Sequence, residues 1–152
     1  MENDSSFWQI SNTTMPYSRH LLRQYIENSN NDLFIDRQLH LIIVKNEDNT
    51  VLGSVNLSDF SPFDSRAAVG ILIKEPYRRK AYGKEALNLL MNYAFEFLHI
   101  NQLYAYITID NTQSLELFRS CGFTNSCKLQ QWIRTEEGYS DVCLLQKISS
   151  DH

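Results

Sequence analysis

Apolar residues recur along the chain at two periods, and Pro, Gly, Asn and Asp mark the breaks between them. Residues 1–16 are polar apart from Phe7 and Trp8 and stop at Pro16. Ser18 then caps a predicted helix to about Asn28, on which Leu21, Leu22, Tyr25 and Ile26 fall at helical spacing. Leu39 to Lys45 and Val51 to Phe60 are predicted strands, joined as a hairpin through Asn46-Glu47-Asp48-Asn49. Past the turn Ser61-Pro62-Phe63-Asp64, the run from Ser65 to Lys74 is apolar nearly throughout, the pattern of a central strand buried on both faces. A helix follows to about His99, with Leu87, Leu90, Met91, Ala94 and Leu98 on one face. Leu103 to Asp110 is a strand. Thr112 to Cys121 is a short helix, with Asn111 or Asp110 as its cap and Gly122 as its stop. Phe123 to Arg134 contains a strand, Thr135-Glu136-Glu137-Gly138 turns it, and Tyr139 to Ile148 is the last strand.

This order predicts an α+β class with a single mixed, mostly antiparallel sheet flanked by helices. At 152 residues, one domain over residues 1–152 is expected. The strand-helix-strand unit comes after antiparallel strands and carries one glycine in its turn, so neither the dinucleotide fingerprint nor the Walker A pattern is present.

Charge narrows the function classes. The net charge is −4 and the pI about 5.5, which argues against a broadly basic, nucleic-acid-binding surface. No run approaches the roughly 18 apolar residues of a membrane span, and Met-Glu-Asn-Asp-Ser-Ser-Phe-Trp lacks a signal-peptide pattern, so no membrane partner and a cytoplasmic location are expected. Cys121, Cys127 and Cys143 are unpatterned and fit a reducing compartment. The scattered His20, His40, His99 and His152 give no metal-ligand spacing, so no metal is expected.

Against that acidic background, Arg78, Arg79, Lys80 and Lys84 crowd into the turn Arg78-Arg79-Lys80-Ala81-Tyr82-Gly83-Lys84, between a predicted strand and a helix. A helix start presents unbonded backbone N–H groups and the positive end of the dipole, so this junction suits a phosphate-bearing ligand.

Two segments together resemble the GNAT superfamily of N-acetyltransferases. "RRKAYG" is similar to the acetyl-CoA signature Q/R-x-x-G-x-G/A at Arg78 and Gly83, with Ala81 in place of the usual first glycine. "NTQSLELFRSCGF", Asn111 to Phe123, is similar to N-x-x-S/A-x-x-L-Y/F-x-x-x-G-F, one helix and one strand further on. "NTTMPYS" and "RAAVGILI" look like the ribosomal-protein-alanine and spermidine acetyltransferase branch. The family usually opens with a strand and most of a helix ahead of Glu2-Asn3-Asp4, so an edge strand is expected to be missing.

The resemblance implies acetyl-CoA as co-substrate. Its pyrophosphate would lie on the amides from Arg79 to Lys84, with Ala81, Tyr82 and Gly83 in close approach and Arg78, Arg79, Lys80 and Lys84 supplying charge. Its pantetheine arm would pair with Ile71, Leu72 and Ile73 where a bulged strand splays from Leu103–Asp110. Asn111 would either bond the arm or simply cap the helix. Ser114 and Phe118 fall on the helix side of the same site. The implied chemistry is direct attack of a neutral amine on the thioester in a ternary complex, with a backbone N–H near Ile73 facing the oxyanion.

Many members carry a tyrosine at the position of Phe118 to protonate the leaving thiolate, and phenylalanine has no such proton. Tyr106 stands where some members place a glutamate. It is a candidate acid or hydrogen-bond donor, or else a half-buried strand aromatic. The acceptor is a primary amine, a protein N-terminus or a small polyamine, in a cleft framed by Pro16–Asn28 and the last hairpin, with Trp8, Trp132 and Tyr139 as candidate walls. A homodimer would cover the missing edge. The alternative from another class is a non-catalytic acyl-CoA-binding module or sensor.

Overall fold

A computed structural model of the chain describes residues 37–45, 48, 50–78 and 81–150 in full, and residues 6–10 and 20–26 as backbone. Among these, eight strands form one sheet: β1 (Ser6–Ile10), β2 (His20–Ile26), β3 (Leu39–Lys45), β4 (Val51–Ser61), β5 (Arg66–Ile73), β6 (Gln102–Thr108), β7 (Thr124–Thr135) and β8 (Gly138–Ile148). Their order across the sheet is β1-β2-β3-β4-β5-β6-β8-β7. β5 and β6 run parallel and the other neighbouring pairs are antiparallel, so the sheet is mixed and mostly antiparallel, as expected. The crossover from β5 to β6 is helix α1 (Tyr82–Asn92), and α2 (Thr112–Ser120) follows β6.

The expected helix from Ser18 to about Asn28 is not there, since His20–Ile26 is β2. Leu21, Leu22, Tyr25 and Ile26 satisfy a helical period. The edge of β3, however, offers an antiparallel ladder from Leu41 to Lys45 to which His20–Gln24 bonds, and so short a periodic run yields to a ready ladder partner. At the edge where a strand was expected to be missing, β1 pairs with β2, and among the described residues no strand precedes Ser6.

Alternation fixes the core. Leu39, Leu41 and Ile43 of β3, Val55 and Leu57 of β4, and Leu103, Ala105 and Ile107 of β6 are buried, facing the apolar side of α1 with Ala86, Leu87, Leu90 and Met91. In β4 the pattern slips by one residue at Asp59, whose φ is 50°, so that Phe60 turns inward. This is the bulge between Ser58 and Ser61 in the pairing with β5. The bulge expected in β5 near Ile73 is absent, because β5 pairs with β4 in unbroken register from Ala68 to Ile73. Nor is β5 buried on both faces throughout. Ala67, Ala68 and Val69 are buried, whereas Leu72 is 62% exposed.

α1 runs on into a π-helical turn, Tyr93–Phe97, closed by a bond from Leu98 N–H to the Tyr93 carbonyl (3.0 Å). α2 ends in a Schellman motif. Phe123 N–H bonds the Phe118 carbonyl (3.0 Å), Gly122 N–H bonds the Arg119 carbonyl (3.0 Å), and Gly122 supplies the left-handed φ of 98°. The hydrophobic contact of the motif is Phe118 against Phe123, edge to face at 5.0 Å. Phe118 is 2% exposed, so truncating it to alanine would cost about 3–5 kcal/mol. The Gly-Phe pair of the sequence pattern therefore terminates a helix.

Candidate functional site

β5 and β6 touch only at their starts. Arg66, Ala67 and Ala68 pair with Gln102, Leu103 and Tyr104, and no pair follows. Beyond that point β5 stays with β4 up to Ile73, while β6 stays with β8 up to Thr108. The two strands splay, and their facing edges open a gap, as the resemblance implied.

The register decides which groups face the gap. Lys74 N–H bonds the Leu52 carbonyl at 2.8 Å. Antiparallel ladders alternate, so Gly70, Leu72 and Lys74 bond to β4, whereas Ile71 and Ile73 turn their N–H and C=O groups away from it. The Ile73 carbonyl accepts a hydrogen bond from Arg78 Nε at 2.9 Å.

After β5, Pro76 helps set a single 3₁₀ turn, Glu75–Tyr77, that leads to Arg78. Arg79 and Lys80 lie outside the described residues. Ala81 is the residue before α1, with φ 67° and ψ 3°, and it carries no side chain able to cap. The first intrahelical bond is from Glu85 N–H to the Ala81 carbonyl (3.1 Å), so the N–H groups of Tyr82, Gly83 and Lys84 have no partner within the helix. α2 starts differently. Asn111 Oδ1 accepts from Ser114 N–H at 3.2 Å, which makes Asn111 a helix cap.

Gly83 joins the two sequence patterns. A Cβ there would sit 3.2 Å from Leu117 Cδ2 and 3.6 Å from Ile73 Cγ1, so glycine lets the start of α1 lie close against α2 and β5.

The result is a cavity of about 710 Å³. β5 gives it Ile71, Leu72 and Ile73. The turn and the start of α1 give Tyr77, Arg78, Ala81, Gly83 and Lys84. α2 and its cap give Asn111, Thr112, Gln113, Ser114, Glu116, Leu117 and Ser120. Two cations, Arg78 and Lys84, and one carboxylate, Glu116, face this space among the described residues. Its lining brings the start of α1 and the free edge of β5 into one space.

Most of the described residues named from sequence for the coenzyme line this space, whereas Tyr82, Phe118, Tyr106, Trp132 and Tyr139 do not. Tyr82 is buried, packs edge to face on Tyr77 at 6.4 Å and does not line the cavity. Phe118 is held in the core by Phe123, because the end of α2 fixes its direction. Tyr106 alternates with Ala105 and Ile107 and therefore points to the outer face of the sheet. There it is 48% exposed, stacked near-parallel on Trp132 with centroids 6.4 Å apart and edge-on to Tyr104 at 5.7 Å. Burial pushes the Tyr104 hydroxyl above the usual tyrosine range. Tyr139 is exposed and has Arg134 over its ring at 5.6 Å. Tyr77, Thr112, Gln113, Glu116, Leu117 and Ser120 were missed from sequence. The helical spacing of Gln113, Glu116, Leu117 and Ser120, once Ser114 was named, was the signal for the α2 face.

Among the described residues there is no cluster of His, Cys, Asp or Glu able to hold a metal ion, and no helix is long and apolar enough to cross a membrane. Pro16 and Asn28, the ends of the stretch expected to frame the acceptor cleft, lie outside the described residues, as does the side chain of Trp8.

A sheet parted between two parallel strands beside a helix start without a side-chain cap is the arrangement that the resemblance to the GNAT superfamily implied. A family profile described as Acetyltransferase (GNAT) domain matches residues 1–124, and the chain belongs to that family. It is 39% identical to an N-acetyltransferase 9-like protein of Nematostella vectensis over 100 residues, which are 64% of this chain and 50% of that protein. It is 26% identical to the uncharacterized N-acetyltransferase p20 of Bacillus licheniformis over 124 residues, 80% of this chain and 69% of the other. The chain thus spans about half the length of the first of these relatives.

Two solved structures share the fold. One is a ribosomal-protein-S5-alanine acetyltransferase from Vibrio fischeri, with TM-score 0.72 at 19% identity, covering 78% of this chain and 66% of that one. The other is a dodecameric spermidine N-acetyltransferase from Vibrio cholerae, with TM-score 0.70 at 19% identity, covering 76% and 68%.

Proposed function

We propose that this chain is an acetyl-CoA-dependent N-acetyltransferase that moves the acetyl group directly to a primary amine in a ternary complex. The observation that carries the reading is the pairing of two features in one cavity: the start of α1 at Gly83 and Lys84, whose amides bond nothing within the helix, and the Ile71 and Ile73 backbone turned into the β5–β6 gap. Acetyl-CoA needs both, because it is an anion at one end and an amide-bearing arm at the other. The close packing at Gly83 fits this as well, since it keeps the helix start near the strand edge.

In this reading the α1 amides, Arg78 and Lys84 hold the phosphates. Ile71 pairs with the arm as a neighbouring strand would, and Ile73 N–H faces the oxyanion that develops on the attacked carbonyl. The amine must arrive neutral, and holding both reactants in one cavity supplies much of the rate. Coenzyme A thiolate leaves without a protein acid, which suits a site where Phe118 faces the core. Asn111 acts by fixing α2 along the cavity wall, with Ser114 beside it.

The acceptor class is a protein N-terminus or a small polyamine, approaching from the open sheet face where Tyr106 and Trp132 lie. Residues 1–152 act as one cytoplasmic domain, able to pair as a homodimer. The test is thiol release from acetyl-CoA against a panel of polyamines, amino acids and N-terminal peptides. Amine-dependent release above background is expected, and its absence across the panel with coenzyme A still bound would turn the reading to an acyl-CoA sensor. The buried Phe118, which brings no proton donor to the cavity, favours that second reading.

A further inference from the structure

We propose that Arg78 is a positioning residue that transmits occupancy of the phosphate end of the cavity to the amide at its reacting end. The proposal rests on the acetyl-CoA reading above and concerns how its two halves communicate. From sequence, Arg78 is one more cation for the phosphates. In the structure its Nε–H is committed to the Ile73 carbonyl at 2.9 Å, the last carbonyl of β5. The guanidinium is planar and rigid, so fixing Nε fixes the direction of the Nη groups, and Arg78 lines the cavity. No ion pair takes those Nη groups among the described residues, which leaves their N–H fork for a phosphate.

The bond to Ile73 matters because of what that peptide does next. The Ile73 carbonyl is bonded to Arg78, and the Lys74 N–H of the same peptide unit is bonded to the Leu52 carbonyl at 2.8 Å. One planar unit is thus held from both ends, by Arg78 and by β4. It closes β5 at the residue whose own N–H faces the gap. Had the Arg78 bond been absent, Ile73 would end the strand with its carbonyl free and no neighbour in β6, since that pairing stops at Ala68 and Tyr104. A phosphate that orders Arg78 therefore orders the Ile73 peptide, with no contact between phosphate and strand. Lysine keeps the charge and loses the fork, so Arg78→Lys separates the two roles.

The experiment uses the full chain and two partial donors. The first is 3′-phosphoadenosine 5′-diphosphate, which carries the phosphates without the pantetheine arm, followed by amide NMR. In the wild type it should shift the Tyr82–Lys84 amides and also that of Ile73. In Arg78→Lys it should still shift the loop amides and leave Ile73 unmoved. The second is S-acetylpantetheine, which carries the thioester without the phosphates. Wild-type turnover of it should rise about tenfold when 3′-phosphoadenosine 5′-diphosphate is added, the scale of one hydrogen bond to a charged group, and should not rise in Arg78→Lys.

An Ile73 amide that shifts equally in both proteins, or S-acetylpantetheine turnover that the added diphosphate raises equally in both, would reduce Arg78 to a phosphate contact and overturn the proposal. Loop amides that shift in the wild type without Ile73 would also overturn it, while leaving the site intact. A wild type that shifts at neither place removes the phosphate site itself. A wild type that binds but turns over no donor removes the transferase reading, and the NMR comparison still decides the role of Arg78.

Discussion

Replacing Ala81 with glycine should stabilise the chain, against the usual direction of that exchange. At φ 67° and ψ 3°, Ala81 holds a left-handed conformation that costs an L-residue about 1–2 kcal/mol. Glycine adopts it freely but loses about 0.5–1 kcal/mol more chain entropy on folding. Ala81 is exposed, so losing its methyl removes no packing. The difference is a gain of about 0.5–1 kcal/mol, or roughly 2 °C in Tm for a chain of this size. Ala81→Val should move the other way, since a β-branched residue in that region is a true outlier. With about 1–2 kcal/mol of added strain, the two variants should differ in Tm by about 4–8 °C. Thermal melts followed by circular dichroism read both. Because Ala→Gly within a helix costs about 0.5–1 kcal/mol, a lower Tm for the glycine variant would mean that α1 begins earlier and that residue 81 does not form the turn.

Three further outcomes are expected. Gly83→Glu sets bulk against Leu117 and a carboxylate at the start of α1, so coenzyme A binding by calorimetry should drop beyond detection; unchanged affinity would move the site elsewhere. Phe118→Tyr buries a hydroxyl beside Phe123, at a cost of about 1–3 kcal/mol if it finds no partner, and should lower Tm; a higher turnover with unchanged Tm would show that the para position reaches the cavity. Burial pushes the Tyr93 hydroxyl up to about 12 from 10.0, so the folded state favours the protonated form. Its contribution to stability is complete below pH 10 and is lost as the pH rises through about 12, and Tyr93→Phe should flatten the fall in Tm over that window.

The strands β3, β4, β6 and β8 and both helices were legible because each has an apolar period that only one element satisfies. β2 was not. Its four apolar residues fit either period, and a partner far along the chain decided between them. The two sequence patterns were enough to foresee that Gly83, Asn111 and Ile73 would share a site, since one helix and one strand between them must fold back. The direction of Phe118 was hidden for a different reason. It depends on the reversal at Gly122, which turns the next phenylalanine onto the same spot. Ala81 showed in sequence only as a departure from glycine. Its positive φ explains why glycine suits that place and what the alanine costs. The bond from Arg78 to Ile73 has no sequence signature, because it depends on a 3₁₀ turn of particular size after Pro76.

The parted strands also have a mechanical side. Among the described residues, three parallel residue pairs and the bonds from Asn101 and Gln102 to the Ser65 carbonyl stitch β1–β5 to the β6–β8–β7 half of the sheet, with the helices as outer braces. Such a seam is where the molecule should breathe first on warming. Along β5, amide hydrogens should then exchange with solvent in a comb, fast at Ile71 and Ile73 and slow at Gly70, Leu72 and Lys74. A long ligand laid into the seam would act as a splint, so the fast teeth of that comb should slow when it is seated.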